Sequence, residues 1–294
     1  MLRALAMAMG GLFVGGMTLL VAMQRKLLYV PVLPGVPKAY QAHPEDYEME
    51  CDEVGLVAAD GTKLHAWFLH APRGTKARAT VVFFQENAGN ISHRLPFARA
   101  LVHSLHANVM LLSYRGYGAS EGKPSEAGIK QDAEAAMAYV LGRADVDPKR
   151  VVVMGKSLGG AVAIHAAVQH HVAALVVENT FTSVNDMAAI LLPPLRRLVA
   201  SGKPLEKLCW DRWTNVEAIR KVTVPTLMLS SRQDEIVPSV QMRNLYAAAM
   251  AADEKARDRF RFVEMLQSHH MDAYVADADL YWGSLHKFLN DVLP

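Results

Sequence analysis

Cysteine, charge imbalance and repetition are what this 294-residue chain has least of. Its two cysteines, Cys51 and Cys209, stand far apart, which excludes a disulfide framework and a Cys-x-x-Cys metal pair. Free thiols are expected, with a single bridge as the alternative. Lys and Arg number 31 against 29 Asp and Glu, a net charge of +2, and no basic run is interleaved with aromatics. Nucleic acid is therefore not an expected partner. Internal repeats and low-complexity tracts are also missing, which leaves a single α/β-sized core of roughly 250 residues once the N-terminus is set aside.

One absence is local. Residues 4–23 carry no charge at all. Twenty helical residues at about 1.5 Å rise span about 30 Å, the thickness of a hydrocarbon core. Arg3 precedes the run, and Arg25 and Lys26 close it. The run is longer than the apolar core of a cleaved signal, and no small-x-small cleavage site follows it, so a single-pass signal anchor is expected. Gly11 and Gly15 form a Gly-x-x-x-Gly, for which unspecific packing is the preferred account. Arg25, Lys26 and Lys38 outnumber Arg3, which tilts the expectation toward a cytosolic catalytic domain on the endoplasmic reticulum or plasma membrane. The expected division is an anchor over 1–24, a connector over 25–44 and a catalytic domain over 45–294.

Within that domain, β-rich apolar runs recur at 47–58, 63–70, 80–84, 109–113, 151–155, 174–177, 226–230 and 261–265. The first two are joined by Asp60-Gly61, a hairpin signal. Helical patterns lie at 95–105, 126–141, 158–168, 240–251 and 280–292. This alternation predicts a mostly parallel sheet covered on both faces and entered through an antiparallel hairpin. The segment 184–223 breaks the rhythm with prolines, clustered leucines and two tryptophans. It reads equally as a helical connection or as a short helical cap over a site.

Two motifs overlap at Gly155-Lys156-Ser157-Leu158-Gly159. A phosphate-binding loop would need glycine at position 150, where the chain has Arg150 at the start of a β run, so that motif fails. Gly-x-Ser-x-Gly instead asks for a serine at a sharp strand-to-helix turn, and the context 151–168 supplies one. Ser157 is then a nucleophile that needs a base and an orienting carboxylate, in the chain order Ser, acid, His. Asp234 follows the run 226–230 at a strand's C-terminal end, with Glu235 as the competing acid. His269 and His270 follow the last strand; the other histidines have plain structural explanations, and an adjacent pair makes a poor metal site. For a developing oxyanion, the N–H of Leu158 is one donor and that of Asn87 the other, with Glu86 as its alternative. Lys156 is expected to point into solvent. The sequon Asn90-Ile91-Ser92 lies in this same loop, where a glycan would be disabling, so it carries no topological information. The glycine-rich stretch 115–122 has Glu121 where a dinucleotide fingerprint needs glycine, so no cofactor is expected.

With these residues assembled, the chain resembles the α/β-hydrolase superfamily and, more narrowly, its N-terminally anchored Bem-type subgroup, which includes the plant wavy-growth proteins. The resemblance is carried by QENAGNISHRLP from Gln85, SYRGYGASEG from Ser113, GKSLGGAVA from Gly155, ENTFTS from Glu178, QDEIVP from Gln233 and HMD from His270. It implies an α/β-hydrolase fold, a Ser157–His270–Asp234 triad and His270 rather than His269 as the base. Gln85-Glu86 departs from the His-Gly common in related enzymes, and a carboxylate aimed at an oxyanion would oppose catalysis; the plant members share it, which implies a side chain turned away. Lys156 replaces a common Arg, a change expected to be mild. A membrane-anchored serine hydrolase of carboxylic esters or thioesters is the expected function, with S-acylated protein or lipid as substrate and the bilayer as partner. A catalytically silent interaction protein and an acyltransferase are the alternatives.

Overall fold

The computed structural model describes residues 2–252 and 254–293, with the side chains of 2–10 and 12–14 outside the description. Eight strands form one sheet in the order β1-β2-β4-β3-β5-β6-β7-β8. They are β1 (Cys51–Val57), β2 (Lys63–Leu69), β3 (Thr80–Phe84), β4 (Asn108–Leu112), β5 (Val151–Lys156), β6 (Ala174–Glu178), β7 (Thr226–Ser231) and β8 (Phe260–Met265). β1 pairs antiparallel with β2, and β2 with β4, while every pairing from β4 to β8 is parallel. An antiparallel hairpin thus leads into a parallel sheet, as the sequence pattern predicts.

Every residue of β3, β4, β5, β6 and β7 is buried. Runs such as Val151-Val152-Val153 show no polar alternation because helices cover both faces. On one face Val82, Phe84, Val153 and Val177 pack with α3 (Glu126–Gly142), α4 (Leu158–Gln169) and the helix Val240–Met250. On the other, Val81, Phe83, Met154 and Val176 pack with α2 (Leu95–Leu105) and the C-terminal helix Ala278–Val292.

Two expectations need adjustment and a third holds. The extended run from 47 starts late: a 3-10 turn spans Pro44–Tyr47 and Glu48 has φ 57°, so pairing begins only at Cys51. The segment 184–223 holds no strand, as the sequence predicts; it contains the helix α5 (Val184–Leu191) and short helical turns. The N-terminal helix α1 (Leu2–Leu28) runs past the uncharged stretch. Among the described residues no helix is long and apolar enough to cross a membrane, and much of the expected span lies in side chains outside the description.

Candidate active site

Ser157 sits between β5 and α4 with φ 53° and ψ −120°, a backbone conformation that costs a non-glycine residue about 1–3 kcal/mol. The surroundings hold it there. Its N–H donates to the Glu178 carbonyl at 2.9 Å, and its own carbonyl accepts from the Gly160 N–H at 3.0 Å and the Thr180 hydroxyl at 2.7 Å. The flanking glycines are required by close approach of backbone. A Cβ on Gly155 would lie 1.9 Å from the Gly159 carbonyl oxygen, and one on Gly159 would lie 1.9 Å from that of Phe84. The Ser157 hydroxyl makes no hydrogen bond to any described residue. Active-site hydrogen bonds of unliganded enzymes are often long and close only around substrate.

His270 follows β8 and is buried, with Nδ1 2.6 Å from Asp234 Oδ2. The other Asp234 oxygen accepts from the N–H groups of Ile236 and Val237 at 2.9 and 2.7 Å. These bonds hold the carboxylate as an acceptor, so the contact selects the imidazole tautomer with its proton on Nδ1, which directs Nε2 away from Asp234. His269 is half exposed and lies 3.2 Å from Glu235 instead. Glu235 is held below the usual carboxylate range by its own N–H and that of His270, and then by His269. The geometry therefore pairs His270 with Asp234 and leaves His269 and Glu235 as a separate surface pair.

Asn179, to which sequence reasoning gave no role, ties the acid and histidine loops together. It follows β6 with φ 46°. Its Nδ2 donates to the His270 carbonyl at 3.1 Å and to the Ser231 hydroxyl at 3.0 Å, while its Oδ1 accepts from the Ser231 N–H at 2.7 Å. An asparagine directly after a buried strand was the available signal, since Asn tolerates the left-handed region better than most residues.

The N–H of Leu158 opens α4 and has no backbone acceptor among the described residues, as expected for a first-turn donor. In the loop after β3, the Asn87 carbonyl accepts from the Val30 N–H at 3.0 Å and the Tyr117 hydroxyl at 2.7 Å. Its side chain donates to the Leu28 carbonyl at 2.9 Å. Glu86 is turned into the protein, with Oε2 2.7 Å from Arg94 Nε. The Asn90 side chain is buried on Ser92 and Lys38, so the sequon is not displayed.

Lys156 corrects the expectation of a solvent-facing residue. It is 4% exposed, with Nζ 2.9 Å from Glu178 Oε1 and 4.0 Å from Glu86 Oε1. Lys156 and Glu178 are register partners on β5 and β6, which places them on one sheet face. Tyr281 of the C-terminal helix donates to Glu178 Oε2 at 2.9 Å. Burial, then the neighbouring Glu178, drives the Tyr281 phenol far up, which keeps it a donor. Burial opposes the Lys156 ammonium, but Glu178 and Glu86 outweigh it and its pKa is raised. Lys156 and Arg94 therefore balance Glu178 and Glu86 in one buried network.

The thiols are not rivals for the nucleophile. Both are free, and burial pushes Cys51 up to about 12 and Cys209 up to about 11, so neither is a thiolate at neutral pH. A cleft of about 480 Å³ between Glu48, Cys51, His70 and His103 is lined by none of Ser157, Asp234 or His270.

The profile of the alpha/beta hydrolase fold matches residues 81–202. The chain is 43% identical over 298 residues to the alpha/beta hydrolase domain-containing protein WAV2 of Arabidopsis thaliana, covering 99% of this chain and 95% of that one. It is 35% identical over 274 residues to protein bem46 of Schizosaccharomyces pombe, covering 92% and 87%. An esterase of Pyrococcus furiosus superposes with a TM-score of 0.71 over 91% of this chain and 98% of the esterase, at 17% identity, a likeness of fold alone.

Proposed function

The chain belongs to the α/β-hydrolase fold family, and from that premise we propose that it is a serine hydrolase of carboxylic esters or thioesters. The observation that carries the proposal is the buried His270–Asp234 hydrogen bond of 2.6 Å, in loops at the same C-terminal sheet edge as the strained Ser157. An esterase among the proteins of this fold agrees with that chemistry.

In the proposed reaction Ser157 Oγ attacks the acyl carbon while His270 Nε2 takes its proton. The carbonyl oxygen becomes an oxyanion that accepts from the N–H groups of Leu158 and Asn87, an interaction worth about 10²–10³ in rate per donor. His270 then gives the proton to the departing oxygen or sulfur. Water, deprotonated by the same nitrogen, attacks the acyl-enzyme, releasing the acid and restoring Ser157. Asp234 holds the imidazole in the tautomer that leaves Nε2 free. The inward pairing of Glu86 with Arg94 supports this active reading over a silent scaffold, because it keeps the carboxylate off the oxyanion.

The substrate class we infer is an S-acylated protein or a lipid, met at a bilayer through an anchor over 1–24. The uncharged run supports it, as do the exposed apolar side chains of Leu19 and Leu27 in α1 and of Leu191, Leu208 and Trp210 in the segment 184–223. A cytosolic domain on the endoplasmic reticulum or plasma membrane completes the proposal. The test is hydrolysis of acyl esters and thioesters of graded chain length. Wild type is expected to turn over at least the shorter chains, Ser157→Ala to lose all turnover, and Asp234→Asn to lose about 10³–10⁴ in kcat. Full activity of Ser157→Ala would remove the proposal. Release of the protein from membranes by alkaline carbonate would remove the anchor.

A further inference from the structure

The chain leaving α1 is built into the loop that carries Asn87. Val30 and Ala88 form an isolated parallel bridge. The Val30 N–H donates to the Asn87 carbonyl at 3.0 Å, the Gly89 N–H donates to the Val30 carbonyl at 3.0 Å, and Asn87 Nδ2 donates to the Leu28 carbonyl at 2.9 Å. The same short stretch is fastened on its other side to the segment after α5. Arg25 Nε lies 2.7 Å from Asp211 Oδ2, the Trp213 indole donates to the Tyr29 hydroxyl at 3.1 Å, and the Trp210 N–H donates to Gln24 Oε1 at 2.7 Å. Tyr29, Asp211 and Trp213 are all buried, and Asp211 Oδ1 also accepts the Glu126 N–H that opens α3. Residues 24–30 are therefore a strap held at both edges by specific bonds.

The strap acts where oxyanion geometry is decided. The two peptide units of Asn87 fix the direction of its N–H. The unit before it carries the N–H and begins at Glu86, whose side chain is paired with Arg94; the unit after it is held through its carbonyl, on Val30 and Tyr117. An oxyanion donor works only when preorganised to within a few tenths of an ångström. We propose that Leu28 and Val30 are positioning residues for the oxyanion donor Asn87, so that turnover by Ser157 depends on the docked N-terminal strap. The proposal rests on the hydrolase reading above.

The test compares Val30→Pro, which removes the donor to Asn87 while keeping the carbonyl, with Val30→Ala, which keeps both. Proline is compatible with the extended backbone that precedes Pro31. Full-length proteins are assayed for kcat and KM on a soluble short-chain aryl ester, and for inhibition by a trifluoromethyl ketone, whose adduct on serine carries an oxyanion. Val30→Pro is expected to lower kcat at least tenfold with KM within about twofold, and to weaken the ketone in proportion to kcat/KM; Val30→Ala stays within about twofold throughout. If Val30→Pro does not fold, Asn87→Ala decides. It removes only the bond to Leu28, and a fall of at least threefold in kcat with matching loss of ketone affinity supports the proposal. An active wild type whose variants keep kcat within twofold, or lose kcat while keeping ketone affinity, overturns it. A wild type that neither hydrolyses esters nor binds the ketone sinks the hydrolase reading, and the strap's role with it.

Discussion

Replacing Lys156 by methionine removes a charge from the middle of a buried network. The ammonium is 2.9 Å from Glu178 and 4.0 Å from Glu86. At an effective dielectric of about 20, charges at these separations attract by about 6 and about 4 kcal/mol. Desolvation of the ions offsets most of this gain, so the intact pair adds little net stability. Breaking it is another matter, because Glu178 is 1% exposed and retains only the Tyr281 hydroxyl as a side-chain partner. The expected loss is about 3–5 kcal/mol, or a fall in Tm of about 10 °C for a chain of this size. Because the Lys156 pKa is raised, its stabilisation is present below the ordinary lysine pKa and is lost only as pH rises through the folded value. The Lys156 contribution to the deficit of Lys156→Met should thus not change with pH below the ordinary lysine value. Adding Glu178→Gln removes the stranded charge and leaves an acceptor for Tyr281, so the double variant should recover about 2 kcal/mol or more. Urea unfolding of wild type, both single variants and the double variant measures this as a coupling energy. A Lys156→Met protein within 1 kcal/mol of wild type, or additive losses in the double variant, refutes the reasoning.

Three further outcomes are expected. Gly159→Ala places a Cβ 1.9 Å from the Phe84 carbonyl oxygen; despite alanine's better helix propensity, it should cost about 3 kcal/mol or more and abolish ester turnover, both read on the purified variant. Asn179→Ala strands the Ser231 N–H and the His270 carbonyl, so stability should fall by about 1–3 kcal/mol and kcat by about tenfold with KM near wild type; an unchanged kcat would deny Asn179 its positioning role. Asp145 is held low chiefly by its hydrogen bond from Arg143. The stabilisation is therefore present above about pH 4, the ordinary aspartate value, and is lost as pH falls below it. The Tm deficit of Arg143→Met should narrow as pH is lowered through that range, and a deficit that grows there would contradict the sign.

What could be seen in the sequence was local. The helix expected over 95–105 is Leu95–Leu105, and the strand expected over 151–155 is Val151–Lys156, because buried strands and helices announce themselves through apolar runs and flanking turn residues. The serine turn was equally legible, since Gly155 and Gly159 answer to backbone contacts within a few residues and the neighbouring strand. Chain order and motif resemblance pointed to the His270–Asp234 pair, which the structure brings together. The burial of Lys156 was not visible, because its partners Glu178, at the end of β6, and Glu86, in the loop after β3, are distant in the chain and only the sheet order β3-β5-β6 brings them together. The docking of Val30 on Asn87 was hidden for the same reason. Neither residue type signals a bridge, and the contact exists only after the sheet has placed the loop following β3 beside the chain leaving α1. The late start of β1 escaped because the left-handed Glu48 has no glycine or asparagine to mark it.

The central claim is that Ser157 is an activated nucleophile, and covalent capture tests it most directly. The full-length protein is treated with a fluorophosphonate and the adduct is located by peptide mass spectrometry. The account predicts a single adduct on Ser157, absent from Ser157→Ala and strongly slowed in a folded His270→Ala variant. An adduct on another residue, or equal labelling of Ser157→Ala, would contradict it.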